Sequence, residues 1–218
     1  MLNELTKALG DVSGLAFVEH EADSEPSLIV LHFLSEFVKA KGRVVYVSLF
    51  QSEEMVRTAC GKLAIRLDAN NFRYVQIRDF LTRPDGLKAL EDTVLSLATP
   101  DTRTLVIIDS ALIFAPLTSN PVAPVQFCQR LRRSLIPSSL ILLASADAST
   151  FIGFEDIATA TFRPKLVNRG AGKNVTGVLE VSHHTTPFDA TPQTHTYHYL
   201  LGERSLKLFL PGVSQFLI

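Results

Sequence analysis

The segment TLVIIDS, residues 104–110, sets bulky apolar residues ahead of an acid and a small hydroxyl. Such a run reads as a buried strand with Asp109 at its C-terminal end and Ser110 opening the next turn. In a nucleotide-binding α/β protein, a carboxylate placed there serves the metal side of a triphosphate. That chemistry needs a counterpart between the first strand and the first long helix. Glycines let backbone N–H groups turn in around phosphate, a lysine meets the charge, and a hydroxyl reaches the metal. The corresponding stretch is EHEADSEPS, residues 19–27, with neither glycine nor lysine. It carries Glu19, Glu21, Asp23 and Glu25, which repel phosphate. Pro26 removes a further N–H donor, and the helix dipole, about half a charge, is too small to compensate. Asp109 and Ser110 therefore read as a degenerate metal-side position. The acid caps the following turn or fixes a neighbour, and the serine is a turn hydroxyl. No catalytic residue, metal or cofactor is expected.

Other reactive residue types do not assemble into a motif. His195 and His198 are three apart on an alternating segment, so their imidazoles fall on opposite strand faces. His183 and His184 end the preceding segment. Cys60 and Cys128 have no metal-ligand or redox spacing and read as buried thiols in a reducing compartment. No nucleophile elbow, HExxH or dinucleotide fingerprint occurs. Two basic stretches remain. CQRLRRSL carries Arg130, Arg132 and Arg133 on or near a helix, and FRPKLVNRGAGKN carries Arg163, Lys165, Arg169 and Lys173. Their ordinary reading is a solvated helix face and a polar loop. Their functional reading is an electrostatic contact with RNA phosphate or an acidic neighbouring chain, drawn from Arg130, Arg132, Arg133, Arg169 and Lys173.

The elements that must position these residues follow from periodicity. The chain has 218 residues, 46% hydrophobic and 20% charged, with a net charge of -1. That supports one folded domain over 1–218, excludes global disorder, and supplies no overall basic field for nucleic acid. No apolar run reaches the length of a membrane span. Strands are predicted at 14–20, 43–50, 72–81, 104–109 and 138–147. Helices are predicted near the N-terminus, ended by Gly10, then from Ser27 as cap to Gly42 as stop, from Ser52, over 84–98, and near 121–135. Strand alternating with helix argues for a parallel sheet. The last third is β-branched and turn-punctuated, with LGERS, 201–205, as a hairpin turn, and adds antiparallel strands at one sheet edge.

Two segments carry a family resemblance. LIVLHFLSEFVKAKGRVVYVSLFQSEEMV, residues 28–56, resembles the first helix and second strand of the sixth subunit of the Elongator complex, and HTYHYLLGERSLKLFLPGVSQFLI, residues 195–218, resembles that subunit's ending. LVIID fits its central strand. The resemblance implies a RecA-like P-loop NTPase-type fold, α/β with a mostly parallel central sheet, antiparallel C-terminal strands and a degenerate nucleotide site. It also implies a heterohexameric ring with the fourth and fifth Elongator subunits. That ring joins a larger catalytic assembly, binds tRNA, and supports carboxymethyl-type modification of the wobble uridine. A cytoplasmic and also nuclear location follows. Phe209, Leu210, Phe216 and Leu217 are candidates for contacts with sister subunits. Two other classes stay open: a divergent RecA-like ATPase of the recombinase or circadian-regulator type, and a standalone RNA-binding module.

Overall fold

Along β4 (Thr104–Ile108), Leu105 and Ile107 enter one apolar cluster and Val106 and Ile108 enter another, all fully buried. The same division holds for Ala16 and Val18 against Leu15 and Phe17 in β1 (Gly14–Glu19). It holds again for Val44 and Tyr46 against Val45 and Val47 in β2 (Arg43–Ser48). Strands apolar on both sides need cover on both sides, which is why these runs are continuous rather than alternating. The computed structural model describes residues 3–21, 26–98, 101–146, 153–167, 175–186, 191–202 and 206–211. Among them one sheet runs in the order β3-β2-β4-β5-β1-β6-β7-β8-β9. β3 is Phe72–Gln76, β5 Leu140–Ser145 and β6 Ala160–Leu166. β7 is Gly177–His183, β8 Gln193–Leu201 and β9 Leu206–Phe209.

Pairing is parallel from β3 through β6 and antiparallel from β6 to β9. Helices α2 (Ser27–Lys39) and α3 (Glu53–Lys62) serve connections that move toward β3. Their buried residues share one cluster with Leu5 and Leu9 of α1 (Asn3–Leu9). Helices α4 (Gly86–Leu97) and α5 (Ala123–Ser134) serve connections moving back, and pack in the opposite cluster with α6 (Phe154–Ile157). Right-handed crossovers force this change of face when the direction of travel reverses. The antiparallel extension has a thinner covering: Leu179, Val181 and Tyr199 are buried, whereas β8 begins with exposed residues.

Several local expectations are corrected. The predicted strand 72–81 ends at Gln76, and Ile77–Asp79 form a 3-10 turn that buries Ile77. Ser27 does not provide the side-chain cap of α2; Pro26 precedes the helix, and its carbonyl accepts from Ile29 and Val30. Gly42 is not the residue that turns α2 off. Lys41 takes the left-handed conformation at φ 58, while Lys41 N donates to Val38 O and Gly42 N to Phe37 O, a Schellman ending. Gly42 is needed for space instead, since a Cβ there would lie 2.9 Å from Arg103 O. Ala64, also at φ 58, ends α3 in the same way. Ser52 does cap α3, accepting from Met55 N at 3.2 Å. Part of the LGERS hairpin, 203–205, lies outside the described residues, but β8 and β9 pair antiparallel through Leu201 and Leu206.

Candidate functional site

In an open α/β sheet, ligands lie beyond the carboxyl ends of strands where neighbouring connections leave to opposite faces. Two of the places where this occurs carry the residues of interest: between β2 and β4, and between β1 and β5.

Asp109 sits at the first. Its backbone N–H donates to Val47 O at 3.2 Å, extending the ladder one residue past β4. The carboxylate accepts from Ser48 Oγ on one oxygen and from Leu49 N at 3.3 Å on the other. Ser48 Oγ in turn accepts from Gln51 N at 2.9 Å, and the Tyr74 hydroxyl donates to Gln51 O. Asp109 therefore fixes the turn leaving β2, the neighbour-fixing role expected of it. Burial raises its pKa, and the Ser48 and Leu49 hydrogen bonds only partly oppose that rise. Ser110 accepts from Leu112 N at 3.2 Å and opens a 3-10 turn over Ala111–Phe114, as a turn hydroxyl should.

The end of β1, beside the second place, is acidic. β1 ends at Glu19, and His20 N continues pairing to Ser145 O at 3.0 Å. Arg163 of β6 lies beside Glu19 and directly opposite Glu180 of β7. Its Nε donates to Glu19 Oε2 at 2.6 Å, its Nη1 to Glu180 Oε1 at 3.0 Å, and its Nη2 to Glu155 of α6. Burial alone would lower the Arg163 pKa. Hydrogen bonds and charge from Glu19 and Glu155 outweigh it and raise the value. The guanidinium is thus engaged by three carboxylates, and the cluster stays net negative where a phosphate loop would leave β1. Asp23, Glu25 and Asp147 lie outside the described residues.

Sequence reading placed Arg163 at the start of a basic loop; its role depends on register with Glu180 and on α6, neither visible as a local pattern. The other basic residues separate. Arg130 Nε pairs at 2.8 Å with Glu91 of α4, whose side chain is almost fully buried. Arg132 and Arg133 lie at the other end of the molecule, beside Ser13 and Gly14 at the start of β1. Arg169 and Lys173 lie outside the described residues. Phe209 packs edge-on against His198 with ring centroids 5.7 Å apart. With exposed Leu210, it lines a groove between α1 and β9 that Lys7 and Tyr197 also border. Phe216 and Leu217 lie outside the described residues.

His195 and His198 separate as alternation requires: His195 is opposite Val181, and His198 is opposite Val178 and Phe209. His184 Nε2 meets Thr161 Oγ1 at 3.1 Å. Burial, then His195 and His184, lower the pKa of His183. Among the described residues no three His, Cys, Asp or Glu side chains form a group that could hold a metal. Both cysteines are buried and free, and burial pushes the Cys60 thiol up to about 11 and the Cys128 thiol up to about 12. Among the described residues no helix is long and apolar enough to cross a membrane.

A parallel β3-β2-β4-β5-β1 core with helices on both faces, extended by antiparallel strands, is a RecA-like fold of the P-loop NTPase type. The chain is similar in structure to the flagellar accessory protein FlaH from Methanocaldococcus jannaschii. The TM-score is 0.70 at 14% identity, covering 95% of each chain. It is also similar to a KaiC-like protein from the hyperthermophilic archaeon Pyrococcus horikoshii OT3, with a TM-score of 0.60 at 14% identity, covering 92% of this chain and 91% of that one. At such identity the likeness is one of fold. No family model and no curated protein matches the chain.

Proposed function

We propose that this chain is a RecA-like subunit that contributes surfaces, rather than its own ATP turnover, to an assembly of related chains. The observation that supports this reading is the cluster of Glu19, Glu155 and Glu180 around Arg163. Together with the glycine-free turn 19–27, it sets negative charge where a triphosphate would need donors. The resemblance of 28–56 and 195–218 to the sixth Elongator subunit supplies the particular assembly. That is a ring with the fourth and fifth Elongator subunits, joined to the larger catalytic complex, supporting tRNA binding and wobble uridine modification in cytoplasm or nucleus. Co-expression with those two proteins, followed by mass determination of the native complex, tests it. A stable complex containing all three is expected, and no association would defeat the reading.

A second reading is favoured by the structural likeness to the KaiC-like and FlaH proteins, which does not itself point to Elongator. It is a divergent RecA-like ATPase of the recombinase or circadian-regulator type. Titration of the purified chain with labelled ATP and magnesium separates the two. Tight magnesium-dependent binding with turnover would establish the second reading.

A further inference from the structure

We propose that a hollow at the N-terminal edge of β1 and β5 binds a phosphomonoester through Arg132 and Arg133. The hollow has a volume of about 410 Å³, enough for a phosphate with a small carbon group such as a ribose. It lies at the end of the sheet opposite Asp109 and the Arg163 cluster, so it stands apart from the function proposed above.

The two arginines arrive there because α5 runs back against the strands and its last turn falls beside the start of β5. Arginines in a last helical turn ordinarily offset the exposed carbonyl ends. That role does not account for the hollow between them and the strands. Gly14 holds part of the space open. It sits at φ 86, and a Cβ there would lie 3.2 Å from Arg132 Nε and from the Thr159 methyl group. The Arg132 guanidinium has one long hydrogen bond, from Nη1 to Ile157 O at 3.5 Å. Most of its five N–H donors therefore lack a protein acceptor among the described residues. Neither Arg132 nor Arg133 has a carboxylate within ion-pair distance among the described residues, in contrast to Arg130 and Arg163.

Leu135, Ile136, Pro137 and Ile141 supply an apolar part of the lining. Two guanidinium forks suit a phosphate dianion, whose three free oxygens can accept from both, and the apolar lining suits its organic part. The arginines meet on one hollow rather than spreading along a stripe, which matches a single terminal phosphate better than successive backbone phosphates.

Calorimetric titration of the full chain with AMP and with inorganic phosphate at low salt tests the site. Both should bind, AMP more tightly. Arg132→Ala and Arg133→Ala should each weaken binding roughly tenfold, and Arg132→Lys should restore it only in part. Lys62→Ala, an equal charge loss elsewhere, and Asp109→Asn should leave it unchanged. Melting temperatures of the arginine variants should match that of the parent chain, since both arginines are exposed. Absence of binding at millimolar concentration, or equal binding by the arginine variants, would overturn the proposal. AMP binding lost with Asp109→Asn but not with the arginine variants would place the nucleotide at the other end of the sheet. A tRNA contact that depends on the arginines, yet is not displaced by AMP or phosphate, would make the surface an open backbone contact instead.

Discussion

Asp109 shows how a residue typical of one chemistry can be engaged in another task. It accepts from Ser48 and Leu49, and its carboxyl is raised in pKa by burial. The folded state therefore favours the protonated form, and ionisation at neutral pH costs stability. Asp109→Asn keeps an acceptor for Leu49 N and removes the buried charge. It is expected to fold with equal or higher melting temperature at pH 7, with any gain disappearing in acid. A large loss of stability would show that the charge itself holds the turn. His32 makes the opposite contribution. It is 1% exposed, its Nδ1 lacks a partner among the described residues, and burial lowers its pKa from 6.5 to about 4, with Glu36 opposing and Lys39 assisting. Between those values the unfolded chain binds more protons than the native one, so stability falls as pH drops from 6.5 through 4. The loss reaches at most roughly 3 kcal/mol. His32→Leu should flatten that part of a denaturant-measured stability profile.

Helix endings show the element scale. Ala64 and Lys41 adopt a left-handed conformation that costs a residue with a Cβ about 1 kcal/mol. Ala64→Gly should raise the urea midpoint by a modest amount with unchanged slope, because unfolded-chain entropy offsets part of the relief. Gly42→Ala should lower it, since the new Cβ would press on Arg103 O. The strand ends give a second case. Arg163→Met leaves Glu19, Glu155 and Glu180 facing one another across β1, α6 and β7. A loss of about 2 kcal/mol at pH 7 is expected, discounted for the partial exposure of all four groups. The loss should shrink in high salt, which screens the three carboxylates from one another. A variant equally unstable at low and high salt would show that Arg163 matters through packing.

For the molecule as a whole, β9 is the last strand at one end of the sheet among the described residues, and a strand in that position is a template for association unless something covers it. Phe209 and Leu210 border the groove beside that edge, and Leu210 is 57% exposed. If this edge meets a sister subunit, Leu210→Asp should leave the isolated chain's melting temperature unchanged and reduce recovery of the complex on co-expression. Unchanged recovery would remove β9 from the assembly surface.

The sequence by itself determined the buried strands, the helices between them and the change to alternating strands in the last third, because periodicity and chain punctuation are local. It also placed Asp109 at a strand end, Ser52 at a helix start, and acids where a phosphate loop would have glycines. The tertiary structure decided which distant groups meet. Register set Arg163 opposite Glu180, packing of α4 on α5 gave Glu91 to Arg130, and the direction of α5 carried Arg132 and Arg133 to the far end of the sheet. It also moved the left-handed ending of α2 from the expected Gly42 to Lys41 and set Ala64 in the same conformation at the end of α3. Residue type signals a preference for such positions, but close contact with Arg103 O reserved Gly42 for a different constraint.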